Sequence, residues 1–268
     1  MLPNLVIIGA MKSGTSSLHR YLNFHPQIYM SGLKELDFFI LEKNWNKGMS
    51  WYEEQFATEK KDVKIYGESS PNYTKSHIFS GVPERMFGVI PQAKLIYILR
   101  DPVKRILSHY YHQAVDSKEA LSLNEALAEK DSNYLLTSRY YFQLQRFLNC
   151  YPKGQLFVMS LEDMNKRPAE TLANVFEFLG VDPSFTHLDF AKSHHLSSDK
   201  KKINSVGRVV AKFPAGMRLC SKFPSLFTES LDYPEPSSDT LELIKAELNS
   251  DINRLRLETG KQFSEWML

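Results

Sequence analysis

Four short apolar runs set the plan of the chain: residues 5–8, 64–68, 94–99 and 155–159, each running into a polar turn. The run at 94–99, Lys-Leu-Ile-Tyr-Ile-Leu, is nearly continuous in apolar residues, the pattern of a parallel strand covered on both faces. A shorter extended segment is predicted at 27–31, just after His25-Pro26 breaks the first helix. Between the runs the apolar period changes to three and four. It predicts a helix carrying Leu18 and Leu22, one carrying Val103, Ile106, Leu107 and Tyr110, further helices near 122–130 and 133–149, and one at 168–179 stopped by Gly180. Leu241, Ile244, Leu248, Ile252 and Leu255 define a last helix over about 238–258. Residues 41–62 show no clean period and read as loop and short helix, and 192–236 are charged, proline-bearing and irregular. Strands alternating with helices imply an α/β fold, a central parallel sheet flanked by helices on both sides. We read 1–268 as a single domain with a core at about 4–180, a lid or acceptor region at about 192–236 and the terminal helix.

Composition narrows the class. Apolar residues make up 43% and charged residues 24% of 268, which excludes fibrous and disordered chains. A formal charge of +2 gives no reason to expect nucleic acid, and only Lys200-Lys201-Lys202 forms a local basic cluster. Cys150 and Cys220 lie far apart without a C-x-x-C pattern, so neither a disulfide framework nor a zinc site is expected. The amino-terminal apolar run is too short for a signal-peptide core, and no window is apolar enough to span a bilayer. The expectation is a cytoplasmic protein without a membrane partner. Its oligomeric state is not legible.

The first run leads straight into G-A-M-K-S-G-T-S-S at 9–17 and then into a helix. Strand, glycine-bracketed turn and helix form a phosphate cradle, in which backbone N–H groups and the positive end of the helix face one concavity. A Walker A loop would place lysine after the second glycine. Here Thr15 follows Gly14 and the lysine is Lys12, on the other limb of the loop. Two further motifs end strands at the same sheet edge, residues 68–73 and 100–108, and ligands of open α/β sheets bind beyond those carboxyl ends.

The ordered set G-A-M-K-S-G-T-S-S, K-E-L-D-F-F at 34–39, G-E-S-S-P-N-Y at 67–73 and L-R-D-P-V-K-R-I-L-S-H-Y at 99–110 resembles the sulfotransferases that use 3′-phosphoadenosine 5′-phosphosulfate (PAPS). It is nearest to the branch of the heparan sulfate sulfotransferases and their bacterial relatives. The likeness runs from Leu5 to about Gly180 and more weakly to Trp266. It implies the P-loop-like sulfotransferase fold and transfer of a sulfuryl group from PAPS to a hydroxyl or amine, leaving adenosine 3′,5′-bisphosphate (PAP). No metal is implied.

Under this resemblance Lys12, Ser13, Gly14, Thr15, Ser16 and Ser17 take the 5′ end of the donor, Arg100 and Ser108 the 3′-phosphate, and Tyr140 lies close to the nucleotide. The planar fork of Arg100 suits a phosphate; its rival role is a strand-end ion pair with Asp101 or Glu68. Lys12 is the implied cation on the oxygen bridging phosphorus and sulfur. Glu35 matches the glutamate of K-E-x-x-F-F and is the implied base, with proton affinity raised if Leu36 and the two phenylalanines desolvate it. Its rival role is a surface carboxylate paired with Lys34, and Glu68 is the alternative base. Heparan-type enzymes usually carry lysine where this chain has Ser69, which leaves a second-cation role open to Lys34, His109 or His112. Lys201, Lys202 and Arg208 occupy the place of the family's lid.

Two other readings compete: a P-loop nucleotide kinase, with Asp101 on magnesium, and a non-catalytic nucleotide-binding protein. Missing G-K-[ST] and the proline after Asp101 count against the kinase, and the retained Lys12, Arg100 and Glu35 count against lost chemistry. The histidine pair on one helix lacks further ligands spaced for a metal site. Aromatic residues at 38–56 and 218–233 suit an acceptor cleft, for a small molecule or a glycan, without naming the acceptor.

Overall fold

A computed structural model describes residues 1–116, 119–191, 201–203, 210, 213, 226, 228–230 and 235–268. Five parallel strands, β1 (Leu5–Gly9), β2 (Ile28–Met30), β3 (Ile65–Ser69), β4 (Lys94–Leu99) and β5 (Leu156–Ser160), form one sheet in the order β2-β3-β1-β4-β5. Leu5 is in register with Gly67 on one side and Lys94 on the other, and Leu95 with Leu156. The central strand β1 is buried along its whole length. Successive side chains of a strand point to opposite faces, and here they enter different cores. Val6, Ile8, Leu95, Tyr97 and Leu99 join the aromatic residues Phe38, Tyr52 and Tyr73 on one face. Leu5, Ile7, Ile96 and Ile98 meet Leu18, Leu22, Leu172 and Phe176 on the other.

The helices are α1 (Thr15–Phe24), α2 (Gly48–Glu54), α3 (Val82–Val89), α4 (Pro102–Val115), α5 (Leu123–Ala128), α6 (Asn133–Ser138), α7 (Tyr140–Leu148), α8 (Leu161–Lys166), α9 (Pro168–Leu179) and α10 (Ser238–Thr259). Several depart from the sequence expectation. The helix expected over 133–149 breaks at Arg139, which pairs with Glu247 at 2.7 Å, while both oxygens of Asp251 accept from the first amides of α7, Tyr141 and Phe142, at 2.9 Å each. A side chain of α10 therefore caps α7, a tertiary signal no local pattern carries. In α4 the buried face includes Arg105, Ser108, His109 and Tyr111 beside Val103, Ile106 and Leu107, whereas Tyr110 is only half-buried. Helices α3 and α8 were not expected. α10 buries Ile244, Leu248, Ile252 and Leu255 as expected, with Leu241 at its margin.

Within the stretch expected to be irregular, two short strands, β6 (Lys201–Ile203) and β7 (Thr228–Ser230), pair antiparallel, and β6 lies beside α4. No helix among the described residues is long and apolar enough to cross a membrane.

Candidate active site

The parallel sheet brings three strand ends to one edge, as the sequence predicts. After β1 the chain turns through Lys12, at φ 68°, and Gly14, at φ 90°, into α1. Among the described residues no side chain caps the start of this helix, so the amides of its first turn are left to a ligand. Ser13 is fully buried beside Tyr140, Thr15 and Ser17 are buried, and Ser16 is exposed. A Cβ on Gly14 would stand 2.6 Å from Leu161 Cδ1. Left-handed backbone costs a non-glycine residue ~1–2 kcal/mol, and the contact adds to it. Gly14→Ala is therefore expected to lower the melting temperature and displace the turn, checked by thermal unfolding. Gly9 is needed for another reason: its Cβ would fall 2.1 Å from Thr74 Oγ1.

After β4, Arg100 reaches back and its Nη1 donates to the Lys12 carbonyl at 3.4 Å, so the two predicted anion-binding elements touch. Neither rival ion pair forms. Buried Asp101 accepts from the amides of Lys104 and Met267, at 3.0 and 2.7 Å, and Glu68 is engaged elsewhere. Ser108 is buried two turns into α4. Tyr140 is fully buried and its hydroxyl donates to the Arg100 carbonyl at 2.8 Å, which places it beneath the strand end and not on an open wall. Beneath the same edge Arg105 is fully buried, held by Ser138 Oγ at 2.7 Å, the Tyr134 carbonyl and His109 Nδ1. No carboxylate pairs with it among the described residues. A buried cation without a counter-ion costs several kcal/mol and leaves a positive floor.

After β3, Glu68 is fully buried and accepts from three hydroxyls: Tyr52 at 2.7 Å, Tyr73 at 2.9 Å and Ser70 at 2.6 Å. Burial pushes its carboxyl up to about 7 against the lowering effect of those donors. The loop bearing Glu35 is stitched to this turn through alternate amides. Glu35 N donates to the Ser69 carbonyl, Asp37 N to Ser70 Oγ and Phe39 N to Tyr73 Oη, at 3.0, 3.0 and 3.4 Å. Glu35 itself is exposed and pairs with Lys34 at 2.6 Å. The desolvation expected for it is found instead at Glu68, because Leu36, Phe38 and Phe39 turn into the core and leave the glutamate outside.

Of the candidates for a second cation, His109 is disfavoured. Burial, with Arg105, Lys75 and Lys12 nearby, lowers its proton affinity well below the usual histidine range. His112 lies 3.9 Å from Asp116, and Lys34 is tied to Glu35. Ser69 is fully buried. Lys200 and Arg208 lie outside the described residues, as does Cys220, and Lys201 and Lys202 are described only as backbone of β6. No group of three metal-ligating side chains gathers among the described residues. Three residues carry no mark in the sequence reading: Arg105, which the helix pattern of α4 leaves unassigned, Tyr52 and Lys75. Tyr52 looked like part of an unpatterned loop, and Lys75, placed just after the G-E-S-S-P-N-Y motif, could have been found by its position.

The chain belongs to the sulfotransferase domain family, whose pattern it matches over residues 2–214. It is 29% identical over 219 residues to bifunctional heparan sulfate N-deacetylase/N-sulfotransferase 2 of Homo sapiens, covering 74% of this chain and 24% of that one. Against the human N-deacetylase/N-sulfotransferase 1 it is 28% identical over 287 residues, covering 99% and 31%. The chain thus spans about a quarter to a third of the length of these relatives. A sulfotransferase from Alicyclobacillus acidocaldarius superposes with a TM-score of 0.74 over 100% of both chains at 25% identity.

Proposed function

We propose that this protein transfers a sulfuryl group from PAPS to a hydroxyl or amine of a small-molecule or glycan acceptor, without a metal ion. The carrying observation is the junction of the uncapped first turn of α1 with Arg100, over a buried guanidinium that has no acidic partner among the described residues. A donor with phosphate groups at both ends of one ribose needs two anion sites close together. The loop from Lys12 to Ser17 is assigned to the 5′ end and Arg100 with Ser108 to the 3′-phosphate. Tyr140 positions Arg100 by holding its carbonyl.

Sulfuryl transfer asks for alignment and charge stabilisation more than for covalent help from the protein. As the acceptor heteroatom bonds to sulfur, the bond from sulfur to the bridging oxygen breaks and its electron pair stays on the phosphate of PAP. Lys12 neutralises that oxygen. Glu35, the one carboxylate of the two that solvent reaches, takes the acceptor's proton. Glu68 has both oxygens committed to hydroxyl donors and is assigned to holding the turn. The kinase alternative fits less well, since Asp101 is consumed as the cap of α4 and as the partner of Met267. The cytoplasm remains the proposed location and one domain the proposed extent.

Calorimetry with PAP tests the donor assignment. Wild-type protein is expected to bind PAP in the absence of magnesium, and Arg100→Ala to bind it about thirtyfold more weakly, the worth of ~2 kcal/mol in charge-assisted hydrogen bonds. Binding of ATP only with magnesium, or unchanged affinity in the variant, would overturn the assignment.

A further inference from the structure

Lys75 follows the turn after β3 and is 6% exposed. An ammonium has three protons to donate, and the bond it makes here runs 3.0 Å to Met11 Sδ, a thioether and a weak acceptor. No carboxylate lies within ion-pair distance of it among the described residues, although Asp37 is close enough to attract it and Asp37 Oδ1 is itself buried without a donor. A buried lysine so poorly satisfied is costly unless a ligand completes it. Met11 adjoins Lys12 in the phosphate-cradling turn, so the ammonium stands where that turn meets the Glu35 loop.

Accepting the donor reading above, we propose that Lys75 is a second catalytic cation, donating to a non-bridging oxygen of the sulfuryl group and filling the role left vacant by Ser69. It keeps its proton throughout the transfer and stabilises charge on the sulfuryl oxygens as the bond to the bridging oxygen breaks. Burial, with Arg105 and Lys43 repelling, brings it down to about 8 against the pull of Asp37 and Glu35. His109 and His77, from α4 and from the chain beyond β3, also face it, and both are held below the usual histidine range by burial. Lys75 is thus charged at neutral pH and loses its charge within a testable range.

The test needs no acceptor other than water, because PAPS and PAP differ only by the sulfuryl group. Wild-type protein and Lys75→Met, which keeps most of the length of the side chain without its charge, are compared by calorimetry with each nucleotide and by release of labelled sulfate from PAPS. Lys75→Met is expected to bind PAP as wild type does, to bind PAPS about tenfold more weakly, and to release sulfate about 100-fold more slowly. In wild-type protein the preference for PAPS over PAP should decline as pH rises through about 8. That measurement needs no variant and stands if Lys75→Met does not fold. Equal loss of PAP and PAPS affinity, an unchanged rate, or a preference flat across pH 7–9 would overturn this role alone. Wild-type protein that binds neither nucleotide would overturn the donor reading, and this role with it.

Discussion

Lys12→Ala is expected to slow sulfuryl transfer about 10³-fold with the fold retained. The residue sits at φ 68° in a turn, and alanine meets the same backbone strain there as lysine, so the substitution adds none. The carbonyl that Arg100 uses belongs to the backbone and survives the change. What is lost is the cation assigned to the leaving oxygen, where charge accumulates only as the bond breaks. Lost transition-state stabilisation appears in the rate much more than in ground-state affinity. Single-turnover release of label from PAPS, read beside a thermal melt and PAP binding, separates the two. A rate within tenfold of wild type, in a folded protein that still binds PAP, would remove Lys12 from the role.

Glu35→Gln is expected to cost a comparable factor, about 10³-fold in rate, with PAP affinity unchanged. Its exposed carboxylate contributes little to packing, so stability should hold. Glu68→Gln is expected to behave differently. Glu68 binds its proton more tightly in the fold than in the open chain, so its stabilising contribution is full below about 4.5 and is lost as pH rises through about 7. The wild-type melting temperature should therefore fall relative to Glu68→Gln across that interval. If Glu68→Gln abolishes transfer while its melting curve tracks wild type at every pH, and Glu35→Gln remains active, the base is Glu68.

Much of this site was legible because it follows strand ends. Short apolar runs located β1, β3, β4 and β5, and the turns beyond them had to share an edge once the sheet was parallel. Local patterning was blind to what reaches across the sheet. It could not show that Asp251 caps α7, that Asp101 is claimed by Met267, or that α4 buries an arginine and a histidine on its core face. Nor could it rank the two glutamates by exposure. Phe38 and Phe39 beside Glu35 suggest a dry pocket, but the loop directs the rings inward and the carboxylate outward. No local pattern marks Lys75, because its proposed role comes from what it lacks, a strong acceptor, which only the folded chain shows.

The stitching of residues 35, 37 and 39 to the turn after β3 makes the ground under the proposed base stiff. An incoming molecule cannot shift the Glu35 backbone without opening one bond to a carbonyl and two to hydroxyls, so only the Glu35 side chain is left to adjust to the acceptor. Choice among acceptors then falls to the parts of the chain away from that seam. Exchanging those parts between relatives should redirect which compound is sulfated while the rate law of the transfer itself stays the same.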